Sequence, residues 1–243
     1  MRNLNILIQN FHFLTPVVCL AYSESCFLSS GDLFGKMTSE IAVSTDEQQD
    51  TAFAVAPELS HLKVTLNGFL EENRKVNRLV VSALIFCQER LLVIQRAKTD
   101  TFPGCWEVPG GTCDVDDETI FHGLTREVYE EVSLRVVEVK SMVGSGIQFE
   151  TPGKRFKRQW LKLSFEVDVA ETERDSEGNP ADYRHVKVLL NPEEHQKFAW
   201  LKKEEVEEGR CGDMDFKFVR PADRAVMLQA FEMRNKYKSE MDG

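Results

Sequence analysis

The chain has 243 residues, of which 42% are hydrophobic, and its formal net charge is −10. This length and composition suffice for one substantial domain with extensions, whereas the acidic balance argues against a broad nucleic-acid-binding surface, which requires a basic patch or stripe. The six cysteines include no C-x-x-C pair and no histidine at zinc-finger spacing, which favours reduced thiols in a cytoplasmic protein over a disulfide framework or a zinc site.

The first 58 residues differ in composition from the rest of the chain. Residues 1–36 carry only four charged side chains, and their apolar run is interrupted by polar residues and by Pro16. We expect a poorly ordered or cleavable extension here and no membrane association, with a signal peptide or anchor as the alternative. Residues 37–58 are rich in Ser, Thr, Glu, Gln and Asp, which is typical of a linker.

The main domain is predicted to span residues 76–238, after an accessory helix at residues 59–75. Its first elements are two β-rich runs, 79–87 and 90–95, which predict a hairpin. A short strand at residues 106–109 then leads into Gly110-Gly111.

An amphipathic helix is predicted next, within residues 110–134. Its apolar stripe consists of residues three or four positions apart, namely Phe121, Leu124, Val128 and Val132. Arg126 and three glutamates, Glu127, Glu130 and Glu131, share another side of the helix. Like charges at these spacings destabilise an isolated helix by about 0.2–0.5 kcal/mol per pair. A hard divalent cation such as Mg²⁺ is therefore the expected partner of the carboxylates.

The charged residues of this segment also have the spacing of a known motif. Glu118 stands eight positions before Arg126, and the sequence Arg-Glu-Val-Tyr-Glu-Glu follows. Five charged residues at fixed spacing arise by chance roughly once in a million start positions, if each charged type makes up about 6% of a sequence. The segment resembles the Nudix box, Gly-x5-Glu-x7-Arg-Glu-U-x-Glu-Glu-x-Gly-U, in which U is aliphatic.

Two positions depart from that motif. Six residues, rather than five, separate Gly111 from Glu118, so Asp117 is an alternative to Glu118. Ser133 stands where the motif closes with glycine, the residue best suited to the left-handed conformation that often ends a helix.

The rest of the chain reads as strands followed by helices. Strands are predicted at residues 136–149 with a bend at two glycines, 160–169, 185–190 and 198–201. A loop and two helices are predicted at residues 171–183, 202–208 and 221–238.

The densest basic cluster of the chain lies between two of these strands, where Lys154, Arg155, Lys157 and Arg158 surround Phe156. One interpretation is a solvated hairpin tip. The other is a clamp for phosphate or nucleobase, in which Phe156 stacks and Arg155 and Arg158 bind the substrate together with Arg96.

The resemblance implies an α/β/α sandwich around a mixed β-sheet. It also implies hydrolysis of the pyrophosphate linkage of a nucleoside diphosphate derivative, by attack of water at phosphorus. The implied cofactor is Mg²⁺, with Mn²⁺ as an alternative, and its ligands are Glu127, Glu130, Glu131 and Gly111. Arg126 and Glu118 correspond to a family pair that fixes the loop against the helix. Glu193 and Glu194 are candidates for a further acid that reaches the metals.

Two other functions remain open at this point. The chain could be a catalytically silent Nudix-like domain that binds a nucleotide as a sensor or partner module, or an isomerase on the same fold that uses Cys105. In each case the expected partner is a small nucleotide. The oligomeric state is not predictable from the sequence.

Overall fold

The computed structural model describes residues 52–154, 156–173 and 181–241. The predicted extension at residues 1–36, the linker as far as residue 51, and Arg155 lie outside these residues. Within the described ranges, no helix combines the length and the apolar character that a membrane span requires.

A seven-stranded mixed sheet forms the centre of the described structure. Its strands are β1 (Ala54–Val55), β2 (Arg78–Cys87), β3 (Arg90–Arg96), β4 (Trp106–Glu107), β5 (Val136–Thr151), β6 (Arg158–Val169) and β7 (His195–Leu201). The order is β1-β5-β6-β2-β3-β4, and β7 pairs with the other edge of β3. The pairs β1–β5 and β2–β6 are parallel, and the others are antiparallel. A separate ribbon consists of β8 (Arg210–Cys211) and β9 (Met214–Asp215). The sequence pattern predicted no strand after β7, and this prediction is wrong.

Helices cover both faces of this sheet. They are a 3-10 helix (Pro57–Leu62), α1 (Leu66–Glu72), α2 (Ile120–Val132), α3 (Ala170–Glu173), α4 (Lys203–Glu208) and α5 (Pro221–Met241). Alternate residues of β2 point to opposite faces. One face of β2 joins the apolar stripe of α2 in one core cluster, and the other joins Met227, Ala230 and Phe231 of α5 in a second cluster. This arrangement confirms the predicted α/β/α sandwich.

The β2–β3 hairpin opens away from its turn, and the opening receives the glycine loop. Backbone pairing between the two strands is confined to the turn end, at Phe86↔Leu91 and Cys87↔Arg90. Nearer the start of β2, away from the turn, the loop takes the place of β3. Val81 N–H donates to the carbonyl of Gly111 at 2.9 Å, and Ala83 N–H donates to that of Pro109 at 2.8 Å. The loop that precedes α2 is therefore held as an extra strand against β2.

The segment at residues 185–190 is not a strand, although its sequence alternates like one. Val186 and Val188 are buried, as the alternation predicts. Leu189 N–H, however, donates to the carbonyl of Val132 at 3.1 Å, and Asn191 N–H donates to that of Glu131 at 3.1 Å. The segment thus satisfies carbonyls at the C-terminal end of α2, which lack partners inside the helix, and the period-2 pattern reflects packing rather than sheet pairing.

The residues before β2 also differ from the prediction. Instead of a linker to residue 58 and one helix at residues 59–75, the chain forms β1, the 3-10 helix and α1. Thr65 separates the two helices because its side chain accepts a hydrogen bond from Gly68 N–H at 3.1 Å, which caps α1. The apolar residues of this segment, Leu62, Leu66, Phe69 and Leu70, pack in the core cluster that includes β2.

Helix α2 ends as the motif requires, even without its glycine. Ser133 adopts the left-handed conformation (φ 54°, ψ 33°), and its N–H donates to the carbonyl of Tyr129 at 2.9 Å. A left-handed backbone costs an L-residue about 1–2 kcal/mol, which glycine avoids at some cost in unfolded-state entropy. The exit geometry of α2 is therefore retained with local strain.

Replacing Ser133 with glycine is expected to raise the free energy of unfolding by about 0.5–1 kcal/mol, because the strain is removed. Urea denaturation measures this difference. Ser133→Ala is the matched control, since it keeps the Cβ atom and should change stability little. A glycine variant no more stable than the wild type would contradict the assignment of strain.

Candidate active site

The glycine loop crosses from β4 to β2 at Gly110, where only glycine fits. Its φ is 143°, and a Cβ atom there would lie 2.2 Å from the carbonyl oxygen of Val81. Its N–H points away from β2 and donates to Glu131 Oε2 at 2.7 Å. At the next residue, a Cβ atom on Gly111 would lie 2.1 Å from Glu127 Oε2. The two glycines thus bring the loop backbone directly against two carboxylates of α2.

Glu131 is buried deeply for a charged residue, with 4% of its surface exposed. Burial raises its pKa well above its usual range, the Gly110 N–H opposes this shift, and the charges of Glu107, Glu127 and Glu194 raise the pKa further. A bound cation would stabilise the ionised form, because it replaces the lost hydration and offsets the neighbouring charges.

Glu127 lies beside Glu131 on the same side of α2. Burial raises its pKa, and the hydrogen bond from Arg126 works in the opposite direction. Arg126 Nη1 donates to Glu127 Oε1 at 2.9 Å and to Glu130 Oε2 at 3.3 Å. Glu130 is the most exposed of the three helix glutamates, with 54% of its side chain accessible. One guanidinium therefore serves two of the three acids.

The loop carboxylate that fixes Arg126 is Asp117, and the expected pairing with Glu118 is wrong. Asp117 accepts two hydrogen bonds from Arg126, at 2.9 Å from Nε and 3.0 Å from Nη2. Glu118 is 81% exposed and lies 3.6 Å from His122 Nε2. The extra residue in the loop explains this shift, because it moves the acid that faces α2 back by one position.

Gly123 leaves the space that the Asp117 side chain occupies. A Cβ atom there would lie 2.6 Å from Asp117 Oδ2. Asp117 also accepts from the N–H of Asp114 at 2.7 Å, and Arg126 Nη2 donates to the carbonyl of Thr112 at 3.1 Å. The bidentate Asp117–Arg126 pair therefore ties both ends of the loop to α2. Its contacts indicate a structural role for Arg126 and Asp117.

Glu194 and His195 reach the same acids from the start of β7. One ligand atom each from Glu131, Glu194 and His195 lies within 4.8 Å of the others. Asn191 Nδ2 donates to Glu194 Oε1 at 3.4 Å. Of the two acids that the sequence suggested here, Glu194 is in this cluster. The exposed neighbour Glu193 is outside it.

Glu107 of β4 borders the cluster, and its neighbours favour its ionised form. Burial alone would raise its pKa, but the His195 imidazole at 3.7 Å, Lys162 and Arg96 together outweigh burial and lower the pKa to about 2. Arg96 hydrogen-bonds to Glu107 and Asp100 through its terminal nitrogens, and Nε donates to the carbonyl of Thr101. All three nitrogens of Arg96 are thus bound within the protein, which favours a structural role over the predicted substrate-binding one.

The other predicted substrate-binding residues lie at the β5–β6 hairpin tip, away from these contacts. Phe156 is 84% exposed there, and Arg158 begins β6. Lys157, between them, pairs with Glu150 at 2.7 Å. Arg155 lies outside those residues. Both interpretations of the basic cluster therefore remain as the sequence left them.

A cluster of cationic and aromatic side chains, which the sequence patterns did not reveal, lies on the α5 face. Phe149 and Trp160 stack with ring centroids 5.8 Å apart, and the Arg220 guanidinium lies 3.9 Å from the Phe149 centroid. Lys162, two residues beyond Trp160 in β6, forms a buried ion pair with Asp223 at 2.9 Å. The sequence signal that could have indicated this cluster was Lys162, a lysine within a strand of alternating apolar residues.

The cysteines near the loop are buried thiols. Cys105 and Cys113 are 4% and 2% exposed, and neither forms a disulfide. Burial, together with the charge of Asp117, raises the pKa of Cys113 to about 12. A thiol that resists ionisation is a poor nucleophile, so Cys113 is suited to packing. Cys19 and Cys26 lie outside the described residues.

Asp117→Asn is expected to lower the free energy of unfolding by about 1.5–3 kcal/mol, because it removes the charge from a largely buried bidentate pair. Glu118→Gln is the matched control and should leave stability within about 0.5 kcal/mol, as for other exposed substitutions. Thermal and urea unfolding of both variants measure the difference. Equal destabilisation by the two substitutions would contradict the assignment of Asp117.

Comparisons with known proteins show which family the chain resembles. A model of the NUDIX domain matches residues 76–220. An ADP-ribose pyrophosphatase of Methanocaldococcus jannaschii is 26% identical over 152 residues, which cover 60% of this chain and 75% of that protein. A MutT-like protein of Streptomyces ambofaciens is 47% identical over 55 residues, or 23% of this chain and 32% of that protein.

Solved structures of similar proteins include two that extend over most of the described domain. The MutT protein from Methanosarcina mazei Go1 is 23% identical, with a TM-score of 0.43, and the match covers 67% of this chain and 97% of that one. The NUDIX domain of Shewanella oneidensis NrtR, complexed with ADP ribose, is 16% identical, with a TM-score of 0.46, and the match covers 70% and 99%.

The family model covers more than half of the chain, including the acidic helix and the glycine loop that meet in the cluster. The chain therefore belongs to the Nudix hydrolase family.

Proposed function

We propose that this Nudix hydrolase cleaves the pyrophosphate linkage of a nucleoside diphosphate derivative by attack of water at phosphorus. The observation that carries the proposal is the position of Glu131. Its buried carboxylate lies against the loop backbone, with Glu127 and Glu194 as neighbouring acids. Such a cluster is stable in its ionised form when a cation is bound.

The donor set fits Mg²⁺, with Mn²⁺ as an alternative. We assign Glu127, Glu130 and Glu131 to the metal site, as the motif implies, and Glu194 joins them because of its place in the cluster. The motif also implies Gly111, whose carbonyl oxygen accepts from Val81 N–H and would have to bind the ion through its second lone pair. Carboxylate and carbonyl oxygens are the ligands that these ions prefer. When bound, the ion neutralises phosphate oxygens and lowers the pKa of a coordinated water.

The protein's own groups supply position and proton transfer. Asp117 and Arg126 hold the loop against α2, and Arg126 orients Glu127 through its 2.9 Å hydrogen bond. Glu130 is the helix glutamate most open to bulk water. It is therefore the one best placed to pass a proton from the attacking water to solvent.

The substrate class is proposed on chemical grounds and on the name of a relative. The relative at 26% identity is an ADP-ribose pyrophosphatase, which makes ADP-ribose the first compound to test. The free thiols of the four described cysteines support a reducing compartment, so we also propose that the protein acts in the cytoplasm.

The proposal predicts turnover of at least one member of a panel of nucleoside diphosphate derivatives that includes ADP-ribose, in the presence of Mg²⁺ or Mn²⁺. Release of phosphate from the nucleoside monophosphate product, in a coupled assay, measures it. Glu131→Gln and Glu130→Gln should lower turnover on the order of 10²-fold, because each removes a charged group of the site.

The fold should survive both substitutions. Their melting temperatures are expected to be unchanged or raised, since one of several crowded carboxylates is neutralised. Glu208→Gln, at an exposed acid of α4, is the matched control and should retain full activity. Undiminished activity in both site variants would refute the assignment, and a wild type inert toward the whole panel would favour a silent nucleotide-binding module.

The clamp interpretation of the hairpin tip has its own test. Phe156→Ala and the double variant Arg155→Ala/Arg158→Ala are expected to raise KM several-fold with little change in kcat, if the exposed ring stacks on the base and the arginines bind phosphate. Lys140→Ala, a partly exposed lysine of β5, is the charge control. Unchanged KM values would make the hairpin an ordinary solvated tip.

A further inference from the structure

His195 is buried with no hydrogen-bond partner. It opens β7 with only 1% of its surface exposed, and neither Nδ1 nor Nε2 has a partner within the described residues. Leaving a buried polar atom unsatisfied costs about 1–3 kcal/mol, and nearly all such atoms in folded proteins are paired. Nε2, the ring nitrogen that lies near the carboxylates, therefore calls for a missing partner.

The ring faces the acids of the site. His195 Nε2 lies 3.7 Å from Glu107 Oε1 and 3.8 Å from Glu131 Oε1. Both separations are too long for a hydrogen bond. They fit two donors that share one ion, since donors about 2.1–2.2 Å from a metal lie roughly 3–4.4 Å apart, depending on the angle between them.

Of the two carboxylates, Glu131 is the one available to an ion. Glu107 is already bound by Arg96, and the pair is largely buried. Glu131 receives one N–H, from Gly110, on Oε2, so Oε1 remains directed toward His195. Glu194, the adjacent residue, completes a group of three whose ligand atoms lie within 4.8 Å of one another.

We propose that His195 is a nitrogen ligand of the metal site, together with Glu131 and Glu194. The inference rests on the metal dependence in the proposed function and adds a donor that the acidic motif does not contain. Imidazole is a better donor to first-row transition ions than to Mg²⁺. The histidine therefore shifts the selectivity of the site from Mg²⁺ toward Mn²⁺.

The test is electron paramagnetic resonance of Mn²⁺ bound to the full chain. The signal of free Mn²⁺ gives stoichiometry and affinity, and electron spin-echo modulation of bound Mn²⁺ reports a directly coordinated ¹⁴N nucleus. We expect a histidine nitrogen coupling in the wild type. Protein labelled with ¹⁵N-histidine should show the corresponding ¹⁵N coupling, which needs no variant and so does not depend on how a substituted protein folds.

His195→Gln should abolish the coupling, lower the affinity for Mn²⁺ about tenfold, and reduce the excess of Mg²⁺ needed to displace Mn²⁺. His185→Gln, at an exposed histidine outside the cluster, is the matched control and should change neither quantity. Bound Mn²⁺ without a histidine coupling, or the same coupling in His195→Gln, would overturn this inference alone. Failure of the wild type to bind Mn²⁺ or Mg²⁺ at all would overturn the proposed function as well.

Discussion

The site depends on the way the glycine loop is inserted between β2 and the acidic helix. On one side, backbone hydrogen bonds from Val81 and Ala83 hold the loop in the place of a strand. On the other, Gly110 donates to the buried carboxylate of Glu131. The β2 side leaves no room for a side chain at Gly110, because a Cβ atom would overlap the Val81 carbonyl. The hairpin must open to admit the loop, and the sheet topology follows from that opening.

Charge balance is the second constraint on the same region. Arg126 is the cation that contacts loop and helix acids together, and its hydrogen bonds to Asp117 and Glu127 raise its pKa. It leaves Glu131 without a positive partner. The helix glutamates thus meet two kinds of group. Glu127 and Glu130 accept from Arg126, which also ties the loop to the helix through Asp117, whereas Glu131 is turned toward Glu194 and His195, where an ion is proposed. A single helix face can serve both purposes because Arg126 and Glu131 lie more than one turn apart.

The histidine of the cluster relates metal binding to the fold. His195 begins β7, which runs along β3, while the backbone just before it satisfies the end of α2. The strand and the helix therefore fix the imidazole between Glu107 and Glu131 before any ion binds. A preorganised donor of this kind loses little conformational entropy when it binds an ion, in keeping with the role proposed for His195.

The sequence by itself determined the acidic helix and most strands, because these depend on local periodicity and on residue spacing within one segment, and the α/β/α class followed from the resemblance to the Nudix box. It identified Glu127, Glu130 and Glu131, which lie on one helix face at any register of the surrounding sheet. It also showed where the motif is irregular, at the loop acid and at Ser133, but spacing alone did not select Asp117 over Glu118. That choice depends on how a loop one residue longer closes against Arg126.

Only the tertiary structure decided the contacts between distant segments. The alternating residues at 185–190 resemble a strand, yet their backbone donates to the end of α2. Alternation of apolar residues indicates which side chains are buried, but not which backbone groups form hydrogen bonds. Arg96 was predicted to bind substrate, but neighbouring acids occupy its guanidinium. His195 carried no signal of its own, because a single histidine before a strand is common. Its proposed role follows from two carboxylates, Glu107 and Glu131, which lie 88 and 64 residues earlier in the chain and which the fold places beside its ring.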